Sequence, residues 1–218
     1  FDGDGHLYFS IGERGSQDDA QDLTLPNGKI HRINTDGTIP TDNPFLDTAG
    51  ALPSIYAYGN RNPQGLAIHP ETGVLWEAEH GPMGGDELNT IQKGANYGWP
   101  VISYGRNYNG NPVTDIVRKD GMEQPSLYWR PSIAVCGIDI YRGTQFPKWT
   151  NAVLVGALRY ESVAVLQVAG DRVMHEETIL KNVGRVRTVS SGPDGAIYVV
   201  TNSPDAVLKL TLKSERNY

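Results

Sequence analysis

The chain has 218 residues, a formal net charge of −6 and one cysteine. An acidic chain is poorly matched to nucleic acid or to an anionic membrane, so we expect neither as the main partner. The single Cys136 excludes an intramolecular disulfide framework. No apolar run approaches the roughly 20 residues of a membrane span. The 25 glycines are about 11% of the 218 residues. This share is above the usual value of roughly 7% and indicates many turns.

A short pattern occurs three times along the chain, in Phe1–Glu13, His69–His80 and Gly192–Asn202. Each copy has an acidic or proline turn, a glycine, a hydrophobic residue two positions later, and then an aromatic residue. The glycine can take the positive φ that such a turn needs. Asp-Gly and Thr-Gly turns are common, so three unrelated hairpins are the alternative. The constant position of the aromatic residue favours a repeated β unit. The glycines and aromatic residues are Gly5 with Tyr8, Gly73 with Trp76, and Gly195 with Tyr198.

Short runs rich in Val, Ile and Leu predict further strands, and no long helical period with caps is present. These runs are at 7–11, 28–33, 65–68, 74–78, 138–141, 152–158, 162–168, 187–190 and 207–212. An all-β sandwich, barrel or propeller would fit, and the repeat favours a β-propeller. At about 40–50 residues per blade, the chain holds about four or five blades. No linker divides residues 1–218, which we therefore expect to form one domain. The polar stretches 35–52 and 96–119 are predicted loops.

Several motifs, in the same order along the chain, resemble the glucose/sorbosone dehydrogenase family, and most of all its broad-specificity aldose sugar dehydrogenases. They are IGERG (11–15), AQDL (20–23), GKIHRIN (28–34), DNPF (42–45), YGNRNPQGLA (58–67), EHGPMGGDELN (79–89), GANYGWP (94–100) and GRVRTV (184–189) followed by GPDGAIYV. The resemblance implies a six-bladed β-propeller that binds pyrroloquinoline quinone (PQQ) and calcium at the blade ends. It also implies oxidation of the C1 hydroxyl of an aldose to a lactone, in the periplasm or outside the cell.

Arginines at family positions agree with this cofactor. PQQ carries three carboxylates, and planar guanidinium groups suit carboxylates. One such arginine alone would be interpreted as a solvated surface charge, but four within matched motifs predict a binding site. Arg185 and Arg187 alternate along a strand and so share one face. The resemblance places Arg61 and Asn62 at the quinone end. The complete predicted cofactor set is Arg61, Asn62, Tyr108, Ala157, Leu158, Arg159, Arg185, Val186 and Arg187.

The resemblance also implies two calcium sites. Gly81 and Pro82 match residues whose carbonyls hold the calcium that docks PQQ, and such an ion polarises the quinone. Glu87 and Tyr97 match a separate structural site, Glu87 through its carboxylate and Tyr97 through its carbonyl. Asp86 is a candidate for orienting these ligands or the substrate. The alternative for 85–87 is an ordinary acidic turn.

The family's general base is a histidine in a His-x-Gly-x-Arg-type motif, just before the strand that here begins at Phe1. None of the five histidines matches that motif, so we predict no catalytic residue within this chain. We expect a fragment without its N-terminal blade or blades, with little or no sugar oxidation by itself. Its open blade edges would favour self-association.

Two other functions compete with a sugar dehydrogenase. A non-catalytic propeller that binds a partner or a sugar has no need of the arginine set or of Gly81 and Pro82. A calcium-dependent propeller hydrolase, such as a lactonase, needs an acidic and histidine-rich centre, whereas the matched loops here are cationic.

Overall fold

A computed structural model describes residues 1–213, in which fourteen strands and two short 3₁₀ helices are present. The strands are β1 (His6–Ile11), β2 (Lys29–Asn34), β3 (Ile55–Tyr58), β4 (Pro63–Ile68), β5 (Leu75–Glu79), β6 (Asp86–Ile91), β7 (Leu127–Trp129), β8 (Val135–Ile140), β9 (Val153–Ala157), β10 (Ser162–Ala169), β11 (Arg172–Ile179), β12 (Arg185–Ser191), β13 (Ile197–Asn202) and β14 (Ala206–Leu210). The 3₁₀ helices are Gln17–Gln21 and Pro147–Trp149. No helix among residues 1–213 is long and apolar enough to cross a membrane.

The strands form four antiparallel sheets in which neighbours in sequence are neighbours in space. Sheet 1 is β1-β2-β3, sheet 2 is β4 to β7, sheet 3 is β8 to β11, and sheet 4 is β12-β13-β14. The first strands of sheets 2, 3 and 4 contact one another in sequence order, β4 with β8 and β8 with β12. Successive sheets packed face to face around their first strands are the blades of a β-propeller. The predicted all-β propeller is therefore confirmed, with four blades in the described residues.

The repeated turns have the predicted conformation. Gly5, Gly73 and Gly195 have φ angles of 87°, 71° and 79°. Residues other than glycine rarely adopt this region of φ. The strands that follow are β1, β5 and β13, and β5 and β13 are the second strands of their sheets. The sequence repeat therefore leads into a strand each time, and into equivalent strands in sheets 2 and 4.

Burial on both faces explains the most apolar stretches. In β9, Val153 and Val155 pack toward sheet 2, whereas Leu154 packs toward sheet 4. Alternate side chains of a strand point to opposite faces, so a strand between two other sheets is apolar throughout. The core between sheets 1 and 2 is smaller and includes Leu75 and Ile91. It fills only the end of that interface where Leu75 pairs with Ile91.

Four strands were not predicted, namely β3, β6, β7 and β11. The strand β6 (DELNTI) carries polar residues on its buried face, and β11 (RVMHEETI) is mostly exposed. Polar composition therefore hid both strands from a search for apolar runs. The loops at 35–52 and 96–119 contain no strand, as predicted. The prediction of one domain remains untested, and its last residues, 214–218, lie outside the described part of the chain.

A buried lysine, Lys29, fixes the backbone next to the turn that carries Arg61. Lys29 Nζ donates hydrogen bonds to the carbonyls of Asp19 (2.7 Å), Ala20 (3.1 Å) and Asn27 (2.6 Å). Burial lowers the Lys29 pKa to about 8, and the three carbonyls offset the cost of removing the ammonium from water. The carbonyl of Gly28 then accepts the Asn60 N–H at 3.1 Å. This contact positions the turn that carries Arg61.

Candidate functional site

Several predicted cofactor and calcium residues lie at one end of sheets 2, 3 and 4, on loops or on the end residues of strands. Arg61 precedes β4, Gly81 follows β5, Arg159 follows β9, and Arg185 begins β12. Because neighbouring strands are antiparallel, the start of one strand and the end of the next lie at the same edge. The register confirms this arrangement, since Pro63 pairs with Glu79 at the edge of sheet 2. In sheets 3 and 4 the same edge is marked by Val135 with Ala157 and by Arg185 with Asn202.

The buried carboxylate of Asp86 connects these loops. Its Oδ1 accepts the Gly81 N–H at 3.0 Å, and its Oδ2 accepts the Ala134 N–H at 2.7 Å. The hydroxyl of Ser132 donates to the same carboxylate, at 2.9 Å from Oδ1 and 2.8 Å from Oδ2. The carbonyl of Ala134 in turn accepts the Leu158 N–H at 2.8 Å. One acidic side chain therefore fixes the predicted calcium loop of sheet 2, which begins at Gly81, against a loop that holds the end of β9.

The guanidinium of Arg61 lies directly on the predicted calcium loop. Its Nη1 donates to the carbonyls of His80 at 2.8 Å and Gly81 at 3.1 Å. The group also lies 5.5 Å from the centre of the Trp99 ring and 3.9 Å from Glu13. Only 15% of the side chain is exposed. The structure thus brings Arg61 and Gly81 together.

A second predicted arginine approaches the same place. Burial lowers the pKa of His80, and the charge of Asp86 opposes that shift. The charges of Arg61 and Arg185 lower the His80 pKa further, so both guanidinium groups are within electrostatic reach of this ring. Arg61 and His80 therefore border one region at the end of the sheets, and Arg185 lies close enough for its charge to act on the His80 ring.

Other predicted cofactor residues differ widely in exposure. Arg159 is exposed, Tyr108 is 75% exposed, and Arg187 is exposed with its Nε bonded to Asn202 Oδ1 at 2.8 Å. The side chains of Val186 and Ala157 are buried in hydrophobic clusters. These two residues can offer a ligand only their backbone. Asn62 is partly buried beside Arg61, and Leu158 is 4% exposed.

Between sheets 1 and 2 lies an acidic layer, formed by Glu77, Glu79, Glu87 and Asn89. In the register of β5 and β6, Glu79 is opposite Glu87 and Glu77 is opposite Asn89, so all four side chains share one face. Burial, followed by the charge of Glu79, raises the pKa of Glu77 and Glu87 well above the ordinary value. Burial raises the pKa of Glu79 to about 7, although hydrogen bonds from Arg61 and Asn62 lower it. A cation would relieve this repulsion.

Unpaired polar atoms surround the acidic layer. Among the described residues, Glu77 Oε1 and Asn89 Oδ1 are buried without a hydrogen-bond partner, as is Nε1 of Trp99. Buried polar atoms nearly always have a partner, so such a group indicates an ion or water. Within residues 1–213, no three His, Cys, Asp or Glu side chains already surround one metal position. An ion here would therefore also need amide, carbonyl or water oxygens.

Tyr97 fits the structural calcium site only through its backbone. Its hydroxyl donates to the Thr90 carbonyl at 2.6 Å and accepts the Gln92 N–H at 2.8 Å. No backbone hydrogen bond between described residues ends on the Tyr97 carbonyl. A small cavity separates this residue from the acidic layer, and its lining includes Arg61, Glu79, Gly81, Glu87, Tyr97 and Trp99. The residues present fit a calcium ion, which prefers oxygen ligands.

Sequence reasoning did not identify Glu77, Glu79, Asn60 or Ser132. A signal for the first two was present, because two glutamates two residues apart in the strand LWEAE must share a face. The burial of that face depends on sheet 1 and could not be read from β5 alone. Ser132 lies in a loop with no motif.

Of the five histidines, four lie away from the Arg61 region. His6, His31 and His69 are hydrogen-bonded in sheet 1 or in the turn after β4, and His175 is exposed on β11. His80 borders the region. Its Nε2 is buried without a partner.

Comparison with known proteins agrees with this architecture. The profile of the family described as Glucose / Sorbosone dehydrogenase matches residues 1–210, and the chain belongs to that family. It is 44% identical over 211 residues to aldose sugar dehydrogenase YliI of Escherichia coli (strain K12), covering 95% of this chain and 57% of the relative. The chain therefore spans somewhat more than half the length of that relative.

Solved structures show the same fold. A crystal structure of a glucose dehydrogenase superposes with a TM-score of 0.94 at 42% identity, over 98% of this chain and 63% of that one. The PQQ-bound aldose sugar dehydrogenase of Streptomyces coelicolor superposes with a TM-score of 0.77 at 29% identity, over 98% of this chain and 60% of that one. Relatives of known structure thus include a protein that binds PQQ.

The Asp86 network predicts a large effect of a single substitution. Asp86→Ala removes the acceptor of the Gly81 N–H and of the Ser132 hydroxyl and leaves the Ala134 N–H only Ser132 Oγ at 3.1 Å, and we expect a loss of about 3 kcal/mol or more in the free energy of unfolding. Urea denaturation would measure the loss. Asp115→Ala, at an exposed position, is the control and should change stability by less than about 0.5 kcal/mol. Equal stabilities of the two variants would contradict the role assigned to Asp86.

Proposed function

We propose that this chain is part of a PQQ- and calcium-dependent aldose sugar dehydrogenase. When bound, PQQ would supply the acceptor for the hydride that leaves C1 of the sugar, and the product would be a lactone. The observation that carries the proposal is the contact of Arg61 with the Gly81 carbonyl, with Arg185 in electrostatic reach. A cationic group beside a calcium-binding carbonyl suits an anionic cofactor docked through a metal ion.

Each predicted residue then has a defined role. Arg61 and Asn62 would contact the quinone end, and Arg159, Arg185 and Arg187 would neutralise the cofactor carboxylates. Ala157, Leu158 and Val186 would contribute backbone groups, and the exposed Tyr108 would cover the cofactor. The carbonyls of Gly81 and Pro82 would hold the docking calcium, while Glu87 and the Tyr97 carbonyl would hold the structural one. Asp86 orients this loop through the Gly81 N–H.

The same likeness leads us to place the protein in the periplasm or outside the cell. Cell fractionation would test this location, and recovery of the protein in the cytoplasm would contradict it.

Binding of PQQ is the direct test of the proposed function. We expect PQQ, titrated into the chain with calcium, to change its absorbance spectrum, and we expect Arg61→Ala or Arg185→Ala to weaken binding about tenfold or more, because each removes a charge-assisted hydrogen bond. Arg172→Ala, exposed on β11, is the matched control and should bind like the parent chain. An unchanged spectrum would instead support the non-catalytic propeller.

Sugar oxidation by residues 1–218 alone should be absent or very slow. The reaction needs a base for the C1 hydroxyl proton, and four of the five histidines lie away from the Arg61 region. The fifth, His80, is partly buried and does not match the family's base motif. An assay with glucose, PQQ, calcium and an artificial electron acceptor would measure this. Turnover comparable to that of a full-length relative would show that the chain holds its own base.

We also propose that the chain associates with itself through its end sheets. Sheet 4 exposes Val200 (37%) and Val207 (69%), and an uncovered sheet favours pairing with another chain. Light scattering should give a mass above that of one chain, and Val207→Lys should lower it. A monomer at all concentrations would exclude this association.

A further inference from the structure

Glu79 is the one member of the acidic layer that also contacts the cofactor-binding turn. Its Oε2 accepts the backbone N–H of Arg61 at 2.6 Å and that of Asn62 at 3.2 Å. Both amides belong to the residues assigned to the quinone end. The Glu79 carboxylate therefore holds the backbone from which those two side chains project.

The same side chain faces the cavity of the structural calcium site. Glu79 lines this cavity together with Glu87 and Tyr97, and it lies directly opposite Glu87 in the β-sheet register. Glu79 is also close to the Gly81 loop, because it is only two residues before Gly81 in the chain. Glu79 thus lies between two sites that the family resemblance treats as separate.

Glu77 provides an independent indication that a ligand belongs in this layer. The residue is fully buried, and Asn89 Nδ2 donates to its Oε2 at 3.0 Å. Its other oxygen, Oε1, has no hydrogen-bond partner. Because Glu77 and Glu79 are two residues apart in β5, both point into the layer. An unpaired carboxylate oxygen at full burial is costly unless a cation or a donor meets it.

We propose that Glu79 is a positioning residue that couples the buried calcium site to the cofactor pocket, and that Glu77 completes the oxygen ligands of that buried calcium. With calcium bound, Glu79 is attracted to the ion and keeps its hydrogen bonds to the amides of Arg61 and Asn62. Without calcium, no ion holds the Glu79 side chain in place, and this turn loosens. Coupling of binding free energies is reciprocal, so PQQ at the turn also tightens calcium at the buried site.

The chemistry of the layer favours calcium over other cations. The cavity is lined by the carboxylates of Glu79 and Glu87 and by backbone carbonyl groups, and the imidazole of His80 is the one nitrogen ligand type among its lining residues. Calcium accepts six to eight oxygen ligands with flexible geometry, whereas magnesium requires a near-ideal octahedron. Mutually repelling carboxylates also need the charge of a divalent ion.

The test is calcium binding without PQQ, followed by hydrogen exchange of the turn. The chain is stripped with a chelator and titrated with calcium in a calorimeter, and mass spectrometry then follows exchange at the amides of Arg61 and Asn62. We expect calcium to bind and to slow exchange at these amides. Glu79→Gln and Glu77→Gln should each weaken calcium binding by about 10- to 100-fold. Glu71→Gln, exposed in the turn before β5, should behave like the parent chain.

The two substitutions distinguish coupling from simple stability. Glu79→Gln retains a carbonyl oxygen for the amides, so the turn should stay protected but lose its response to calcium. Glu77→Gln touches neither amide, so its effect on exchange would have to act through the ion. Calcium binding that leaves exchange at Arg61 and Asn62 unchanged would overturn the coupling. Equal calcium affinity in all variants, or no binding at all, would overturn the ligand assignment.

This inference rests on the proposed function, because that function assigns Arg61 and Asn62 to the cofactor. The experiments nevertheless distinguish failure of the inference from failure of the proposed function. If calcium protects the turn but PQQ does not bind, the coupled ion site stands and the cofactor assignment is wrong. If PQQ binds with the same affinity in Glu79→Gln and in the parent chain at a calcium concentration that fills the buried site only in the parent chain, the cofactor assignment stands and the coupling is wrong.

Discussion

The functional end of this molecule depends on a carboxylate that never reaches solvent. Asp86 accepts hydrogen bonds from the Gly81 loop of sheet 2 and from the loop before β8 in sheet 3. A buried carboxylate is stable only when its oxygens are fully hydrogen-bonded. Because its donors come from separate loops, the requirement fixes those loops relative to one another. The contact of Arg61 with Gly81 follows from that constraint.

The acidic layer shows how the same scaffold accommodates a charge imbalance. Apolar residues fill one end of the interface between sheets 1 and 2, around Leu75 and Ile91. The acidic layer fills the other end, where Glu79 lies opposite Glu87. Such a layer would weaken the interface unless a cation completed it. In the coupling proposed above, a cation in this layer would offset the cost of burying the glutamates and would also stabilise the turn of Arg61 through Glu79. Stability and function therefore meet at Glu79.

Much of this arrangement could be predicted from sequence, and the rest had a physical reason to be missed. The repeated Gly-x-hydrophobic-aromatic turns and the apolar strands β9 and β10 identified the propeller, since burial on both faces makes a strand apolar throughout. The arginines and Gly81 were located through family motifs. Glu77, Asn60 and Ser132 were missed because their importance lies in contacts between sheets, which no local pattern reveals. The strand β6 was missed because buried polar residues interrupt its apolar pattern.

The central claim is that loops held by Asp86 bring cationic groups and carbonyl oxygens together to seat an anionic redox cofactor. A crystal structure of the chain with PQQ and calcium tests that claim most directly. The account predicts an ion on the carbonyls of Gly81 and Pro82, with the guanidinium groups of Arg61 and Arg185 against the same PQQ molecule. PQQ bound elsewhere, or those two side chains pointing to separate surfaces, would contradict it.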